Sequence, residues 1–236
     1  MPNKSKVSKK KKNVFLSPAV LIAMALIVAV VIGLTIAIVQ LNNVEEEPND
    51  TSSNTTSGSS GETLKGTYYA ELEMEDGGKI VMGLYADIAP ITVTNFVKLV
   101  QEKFYDGLTF HRVIEGFMIQ TGDPKADGTG GSDETIFGEF AANGFENNLS
   151  HTRGVISMAR KGSQYNDSDY YDTASSQFFI CHGDSAFLDG KYASFGKVIS
   201  GMDVVDRIAA VSTDNYDKPL TPVVIKTIRM IDKPAA

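Results

Sequence analysis

The feature that most constrains this chain is one long uncharged stretch near its N-terminus. Residues 18–39 contain no charged side chain and a single hydroxyl group, that of Thr35. The stretch is 22 residues long, and a helix needs about 20 residues to cross the hydrocarbon core of a bilayer. A surface helix of a soluble domain carries one apolar stripe, whereas this stretch is apolar on every face. The sequence therefore predicts a transmembrane helix at residues 18–39.

The charges before this stretch predict its orientation. Residues 1–12 contain six lysines and no acidic residue, and positively charged flanks stay on the cytoplasmic side of a membrane. We therefore expect a basic cytoplasmic tail at residues 1–17 and a signal-anchor that exports everything after residue 39.

Residues 40–63 are rich in Asn, Ser, Thr, Glu and Gly, a composition that buries too little apolar surface to fold. We interpret them as a flexible polar linker.

A cleaved signal peptide is the alternative to this anchor. Residues 35–37 weakly resemble a cleavage site with small residues, but the apolar run exceeds the usual 7–15 residues of a signal-peptide core. A lipoprotein signal needs a cysteine at the cut, and the single cysteine of the chain is Cys181. We therefore expect a single-pass membrane protein with an extracytoplasmic domain, and secretion after cleavage remains the second hypothesis.

Charge and cysteine content exclude several function classes. The formal net charge of −7 becomes −13 for residues 13–236 once the six lysines of the tail are set aside. Nucleic-acid binding requires a basic face, so we expect no nucleic-acid partner. A single cysteine forms neither an intramolecular disulfide nor a zinc site with two or more thiolates. The three histidines are far apart in sequence, without the spacing of metal ligands, and we expect no metal site.

Residues 64–236 have the pattern of a mainly β domain. Apolar and polar residues alternate on both sides of a turn signal at residues 76–78, which predicts a β-hairpin. Pro90 opens a helical pattern, a second short helix is predicted at residues 202–211, and residues 222–231 alternate as a closing strand. Short apolar runs separated by Gly, Asn and Asp lie between them. Many strands and two helices predict a closed or nearly closed antiparallel barrel.

Several segments of this domain match one known family in the family's own order. They are residues 89–96 (APITVTNF), 110–123 (FHRVIEGFMIQTGD), 128–131 (GTGG), 154–159 (GVISMA), 176–180 (SQFFI) and 187–196 (FLDGKYASFG). Together they make residues 66–231 resemble the cyclophilins. The number and order of the segments make this resemblance specific, which a Phe-His-Arg run alone would not.

The resemblance implies an eight-stranded antiparallel barrel capped by two helices, and catalysis of rotation about X–Pro bonds without a cofactor. Amide rotation has a barrier of about 18–20 kcal/mol, and uncatalysed X–Pro isomerisation takes tens to hundreds of seconds. No bond breaks, so no nucleophile, metal or general base is required. A fixed donor that binds the amide nitrogen as its lone pair appears stabilises the twisted transition state selectively. We expect Pro-containing exported polypeptides as substrates.

The matched positions nominate the site residues. Arg112 is the expected catalytic donor because its guanidinium stays charged at every working pH, and Gln120 is expected to hold it in place. The residues expected to form the apolar pocket for the proline ring are Phe117, Met118, Phe179 and Leu188. Gln177 is expected to bind the substrate backbone. The other substrate-binding candidates are Gly128, Ala159, Arg160, Phe187 and Tyr192.

Three positions depart from the familiar eukaryotic pattern. This chain has Phe187 where those cyclophilins carry Trp, Tyr192 where they carry His, and Arg160 where they carry Asn. Residues 158–160 and Tyr192 resemble bacterial branches of the family. The missing Trp removes an indole N–H donor, and a contact of that kind matters for cyclosporin. The sequence therefore predicts weak cyclosporin binding with catalysis retained.

The 161–175 loop (KGSQYNDSDYYDTAS) is longer than the family's usual loop at this place. Its aspartates Asp167, Asp169 and Asp172 suggest a weak Ca²⁺ site, although the glycine and glutamate of an EF-hand loop are missing. We favour the hypothesis that this loop tunes substrate choice beside the pocket.

Two other functions remain open at this point. A cyclophilin-like module could bind Pro-containing loops with little turnover, and a protein of this kind could serve mainly in surface adhesion or assembly. Arg112 and its neighbours favour the enzyme, because a pure binding module need not keep the arginine.

Overall fold

The part of the chain with a described fold is residues 62–234, in a computed structural model. The predicted tail, the predicted transmembrane helix at residues 18–39 and nearly all of the predicted linker lie outside the described residues, and they stay predictions. Within residues 62–234, no helix is long and apolar enough to cross a membrane.

Eight strands and two α-helices make up this part of the chain. The strands are β1 (Thr67–Met74), β2 (Lys79–Tyr85), β3 (Arg112–Ile114), β4 (Met118–Thr121), β5 (Val155–Met158), β6 (Phe178–Cys181), β7 (Ser194–Ser200) and β8 (Ile225–Ile231). The helices are α1 (Pro90–Gln101) and α2 (Met202–Ala209). The second helix is two residues shorter than predicted, because Ala210 already leaves the helical conformation.

The strands form one sheet in the order β3-β4-β6-β5-β7-β2-β1-β8. All paired neighbours are antiparallel. The segment before β3 contacts the chain where it enters β8, because the N–H groups of Gly107 and Phe110 donate to the carbonyls of Ile225 and Val223. The sheet therefore curls into an antiparallel barrel, which confirms the mainly β prediction.

The predicted hairpin is β1 and β2, joined by a turn at residues 75–78. Its alternating apolar residues are all buried, and they are Ala70, Leu72, Met74, Ile80, Met82 and Leu84. Side chains two residues apart lie on the same face of a strand, so the period of two seen in the sequence is the inner face of the barrel.

Helix α1 packs over the core through Phe96. The ring centroid of Phe96 lies 5.3 Å from that of Tyr105, 5.3 Å from that of Phe178 and 5.4 Å from that of Phe195. Aromatic pairs of this kind contribute about 0.5–1.5 kcal/mol each beyond their buried area. The helix begins at a proline, as predicted, and this aromatic cluster fixes it against strands β6 and β7.

One glycine controls how closely β4 approaches the segment before β6. Gly122 has a φ of +88°, and a Cβ at this position would collide with the backbone carbonyl of Ser176. The Ser176 hydroxyl donates to the Gly122 carbonyl at 2.7 Å. Glycine is therefore required here both for its backbone conformation and for the close approach.

The 123–131 loop, which carries Gly128, is organised by the carboxylate of Asp123. This side chain is buried, with 1% exposure. One of its oxygens accepts from the N–H of Lys125 at 2.7 Å, and the other accepts from those of Asp127 at 3.2 Å and Gly128 at 2.6 Å. A buried carboxylate with several N–H donors fixes a loop because each charge-assisted bond is strong.

Replacing Asp123 by Asn is expected to lower the free energy of unfolding by about 2 kcal/mol at pH 7, because an amide N–H₂ would face backbone N–H donors. Urea unfolding followed by circular dichroism measures this difference. Asp133→Asn, an exposed carboxylate in the next segment, is the matched control and is expected to stay within about 0.5 kcal/mol of the wild type. Equal stabilities of both variants would contradict the role of Asp123.

The same carboxylate makes this difference depend on pH. Burial raises the pKa of Asp123, and the N–H groups of Lys125, Gly130, Gly128 and Asp127 lower it, so that the net pKa is below its ordinary value. The unfolded-state pKa is about 3.9. The stabilisation is therefore complete above roughly pH 4 and is lost as the pH falls through the folded-state pKa. We expect the gap between wild type and Asp123→Asn to shrink on acidification.

Candidate active site

One groove on the barrel surface brings most of the predicted site residues together. Its volume is roughly 510 Å³. The lining residues are His111, Arg112, Phe117, Met118, Gln120, Ala126, Asp127, Gly128, Ala159, Arg160, Phe179, Leu188, Tyr192, Asp214, Tyr216 and Lys218. All predicted site residues except Gln177 and Phe187 are among them.

Strands β4 and β6 form the floor of this groove. Met118 and Gln120 are two residues apart in β4 and therefore face the same side. The strands pair so that Met118 lies opposite Cys181 and Gln120 lies opposite Phe179. The pairing thus places residues of the 110–123 and 176–180 motifs on one surface.

The floor is apolar. Met118, Phe179 and Leu188 are buried and pack in one cluster, against which the partly buried Phe117 and Tyr192 also pack. The Tyr192 ring meets the Phe179 ring edge-on, with the centroids 6.2 Å apart. An apolar depression edged by aromatic rings suits a proline ring, since it replaces water around the pyrrolidine carbons.

Arg112 lies at the wall of the groove and is 42% exposed. It is the cross-strand partner of Gln120 in the β3–β4 pair. The amide of Gln120, however, donates to Gln177 Oε1 at 2.8 Å, whereas Arg112 Nε lies 3.4 Å from Asp217 Oδ2. The expectation that Gln120 holds the guanidinium is therefore not met, and Asp217 is the group beside it.

Asp217 belongs to the 212–220 hairpin, which sequence analysis missed as part of the site. Asp217 has a φ of +63°, and its carbonyl accepts from the N–H of Val113 at 2.8 Å. The Asp214 carboxylate accepts from the N–H groups of Tyr216 and Lys218. These bonds hold the hairpin against β3, about a hundred residues away in the chain, and no local sequence signal points to that contact.

Gln177 supports the groove from behind. Its amide N–H₂ donates to the carbonyls of Gly130 at 2.7 Å and Gly128 at 3.2 Å, and its oxygen accepts from Gln120. The amide that was expected to bind the substrate backbone is thus engaged by the 123–131 loop. Gln177 lines an adjoining depression of roughly 360 Å³ that also includes Gly128 and Arg160.

Phe187 lies at the rim of the groove. It is 64% exposed, and its ring centroid is 5.4 Å from that of Phe117. It follows Ala186 in a 3-10 turn, Ala186–Leu188, whose last residue is part of the apolar floor. The position that carries Trp in the familiar eukaryotic cyclophilins is therefore next to the pocket here and outside its lining.

His151 is one of two histidines buried near the floor. His151 Nδ1 lies 2.8 Å from Asp189 Oδ1, and Nε2 lies 2.9 Å from Ser157 Oγ. The His151 ring stacks on that of Phe179, with a centroid distance of 6.1 Å. Burial lowers the pKa of His151, and Asp189 partly offsets this. The neutral ring therefore supports Phe179 from behind.

The second buried histidine, His111, precedes Arg112 in the chain and lines the groove. It is 5% exposed, and within residues 62–234 neither of its ring nitrogens has a hydrogen-bond partner. Burial lowers its pKa, which the charge of Asp123 partly offsets. The ring is thus a buried, neutral part of the groove lining.

The described residues contain neither a group of metal ligands nor an exposed thiol. Residues 62–234 contain no group of three or more His, Cys, Asp or Glu side chains placed to hold a metal ion. Asp167, one of the aspartates of the Ca²⁺ hypothesis, is paired with Arg160 at 2.7 Å, so it is not a free carboxylate. Cys181 is buried, and burial raises the pKa of its thiol to about 12. A thiol of that pKa is inert near neutral pH.

Comparison with known proteins identifies relatives of this domain. Residues 69–230 match the family model described as cyclophilin type peptidyl-prolyl cis-trans isomerase/CLD. The peptidyl-prolyl cis-trans isomerase ppi1 of Schizosaccharomyces pombe is 40% identical over 164 residues, which cover 68% of this chain and 99% of that protein. The peptidyl-prolyl cis-trans isomerase-like 1 of Emericella nidulans is 40% identical over 156 residues, covering 66% and 90% of the two chains.

Solved structures match the fold. A crystal structure of a cyclophilin type peptidyl-prolyl cis-trans isomerase from Cryptosporidium parvum superposes with a TM-score of 0.63 and 29% identity, and the match covers 71% of this chain and 99% of that one. A second structure of that protein, in the presence of the dipeptide Ala-Pro, gives a TM-score of 0.62 and 28% identity, with 70% and 99% of the chains covered.

Proposed function

This chain belongs to the cyclophilin-type peptidyl-prolyl cis-trans isomerases, and we propose that it accelerates rotation about X–Pro bonds in exported polypeptides while anchored in the membrane. The enzyme class follows from the family model and from relatives matched over nearly their full length. The destination of the enzyme and the roles of its residues are our proposals, and they rest on the sequence and on the groove geometry.

The observation that carries the proposed mechanism is the position of Arg112 at the edge of the apolar floor. Among the described residues, its ion-pair partner is Asp217, whose carboxylate lies beside Nε. The two terminal amino groups of Arg112 are therefore available to a substrate. The proline ring binds over Phe117, Met118, Phe179 and Leu188. The guanidinium then donates to the amide nitrogen as that nitrogen becomes pyramidal in the twisted transition state.

The energy that this requires is moderate. Reaching the millisecond range from tens to hundreds of seconds needs about five decades of rate, or roughly 7 kcal/mol of transition-state stabilisation. One charged donor to the developing lone pair, together with removal of water from the amide, is a reasonable source of this energy. Gln120 and Gln177 serve by fixing the floor and the 123–131 loop around the bound segment.

The remaining candidates have roles on the walls of the groove. Gly128 and Ala159 leave room for the substrate chain, while Tyr192 forms one side of the proline pocket. Arg160 stands close to Tyr192, and Phe187 covers the rim. Residues 158–160 and Tyr192 support a bacterial origin. The Schizosaccharomyces pombe and Emericella nidulans relatives compared above are fungal, so this assignment rests on these residues alone.

Replacing Arg112 by Ala is expected to lower kcat/KM by about 100-fold or more, because one preorganised donor to the reacting group is lost. The assay follows isomerisation of an Ala-Pro peptide by the full-length protein. Arg207→Ala removes a surface ion pair with Asp76 and is the matched control, expected to keep wild-type activity. Binding of the peptide by a wild-type protein that does not accelerate exchange would replace the enzyme with the Pro-binding module.

The location is tested in cells that express the full-length chain. We expect the protein to remain with the membrane after alkaline carbonate extraction, because the uncharged stretch of 22 residues at 18–39 is long enough to span it. Protease added outside intact cells is expected to remove the domain. Recovery from the medium of a chain that begins near residue 38 would favour signal cleavage, and a domain protected until lysis would contradict export.

Cyclosporin binding is expected to be weaker than nanomolar, because Phe187 offers no indole donor. Phe187→Trp is expected to tighten binding about fivefold to tenfold by restoring one hydrogen-bond donor at the rim. Isothermal calorimetry measures both dissociation constants, and Phe137→Trp, at an exposed phenylalanine outside the groove lining, is the control. A nanomolar wild-type dissociation constant would refute the prediction.

A further inference from the structure

The side chain of Arg160 is a buried cation at the edge of the groove. It is 2% exposed and lies two residues after the end of β5. Its Nε donates to the carbonyl of Lys191 at 3.0 Å, and one terminal nitrogen donates to that of Lys161 at 2.9 Å. A charged group this deeply buried requires a partner, because its desolvation is expensive.

The partner is Asp167 in the 161–175 loop. The two terminal nitrogens of Arg160 donate to the two oxygens of Asp167 at 2.9 Å and 2.7 Å. The hydrogen bond with Arg160 lowers the pKa of Asp167. Paired, parallel bonds of this kind fix direction as well as distance, so the pair determines where the 3-10 turn Asp167–Tyr170 lies.

Three aromatic rings surround the same guanidinium. The Arg160 carbon Cζ lies 4.7 Å from the ring centroid of Tyr192, 5.0 Å from that of Tyr171 and 5.4 Å from that of Phe140. Cation–π contacts occur within about 6 Å of a ring, and they strengthen when the cation is desolvated. We name Phe140, Arg160, Asp167, Tyr171 and Tyr192 the Arg160 cluster.

The Arg160 cluster contacts the apolar floor through Tyr192. Tyr192 contacts the guanidinium on one side, and it meets the Phe179 ring edge-on at a centroid distance of 6.2 Å. Phe179 is part of the apolar floor. A continuous set of contacts therefore joins Asp167, in the loop, to Phe179, in the pocket.

We propose that Asp167 and Arg160 are positioning residues that fix the Tyr192 ring, so that the 161–175 loop sets the affinity of the groove for the Pro-containing segment. Arg160 is therefore a support of the pocket wall, and its buried guanidinium does not serve as a direct ligand of the substrate. The inference rests on the proposed role of Tyr192 as a pocket wall, and it gives the loop a means of tuning substrate binding.

Loss of the Asp167 charge leaves the Arg160 cation buried without its counter-charge. Such a cation moves toward water, because an unpaired buried charge is strongly unfavourable. Tyr192 then loses the group that fixes its ring, whereas Arg112 and its neighbour Asp217 are untouched. The expected change is therefore in substrate affinity, with the rate of the bound complex nearly preserved.

The first experiment compares Asp167→Asn with wild type in the full-length protein. With an Ala-Pro peptide we expect KM to rise about fivefold and kcat to stay within about twofold. A fivefold change in affinity corresponds to the loss of roughly one cation–π contact. Asp169→Asn, an exposed aspartate of the same turn, is the matched control and is expected to leave both constants unchanged. Asp167→Glu, which can restore the ion pair, is expected to recover most of the affinity.

The second experiment is a double-mutant cycle with Tyr192→Ala. If the effect of Asp167 passes through Tyr192, then Asp167→Asn raises KM in the wild-type background and has little further effect in Tyr192→Ala. Equal effects in both backgrounds would overturn the proposal, as would a lower melting temperature of Asp167→Asn with an unchanged KM. Failure of the catalytic mechanism is distinguishable, because it is read from kcat/KM of Arg112→Ala.

Discussion

The pairing of β4 with β6 is the interaction on which the rest of the site depends. It brings Met118 and Gln120 opposite Cys181 and Phe179, joining two segments that lie some sixty residues apart. Gly122 extends the contact, since only a residue without Cβ lets the chain pass so close to the backbone before β6. One face of this pair forms the centre of the apolar floor, and the walls of the groove are β3 and the loops packed around it.

Carboxylates hold the loops that surround this floor. Asp123 binds the backbone N–H groups of its own loop, Asp217 stands beside Arg112, and Asp167 binds Arg160. The acidic balance of the domain thus has a local use, because a carboxylate that accepts several fixed donors orders a loop that has little apolar surface of its own. The groove combines an apolar floor with electrostatically fixed walls.

An apolar floor with electrostatically fixed walls suits the chemistry of the family. Rotation about an X–Pro bond breaks no covalent bond, so the enzyme needs a rigid surface that favours the twisted amide over the planar one. In the mechanism that we propose, apolar contacts hold the proline ring in every state of the reaction, while the donor at Arg112 acts only when the nitrogen lone pair appears. On this proposal, rigid walls affect binding and the position of Arg112 affects the chemical step.

The sequence by itself determined the β-hairpin, the two helices and most of the groove lining, because periodicity and motif order are local properties of the chain. Tertiary structure alone decided the partners of the polar groups. Gln120 binds Gln177 in place of Arg112, Asp217 approaches from a hairpin about a hundred residues away, and Arg160 is buried by rings from three separate segments. These pairings depend on which loops the closed barrel brings together, and that is set by long-range strand order.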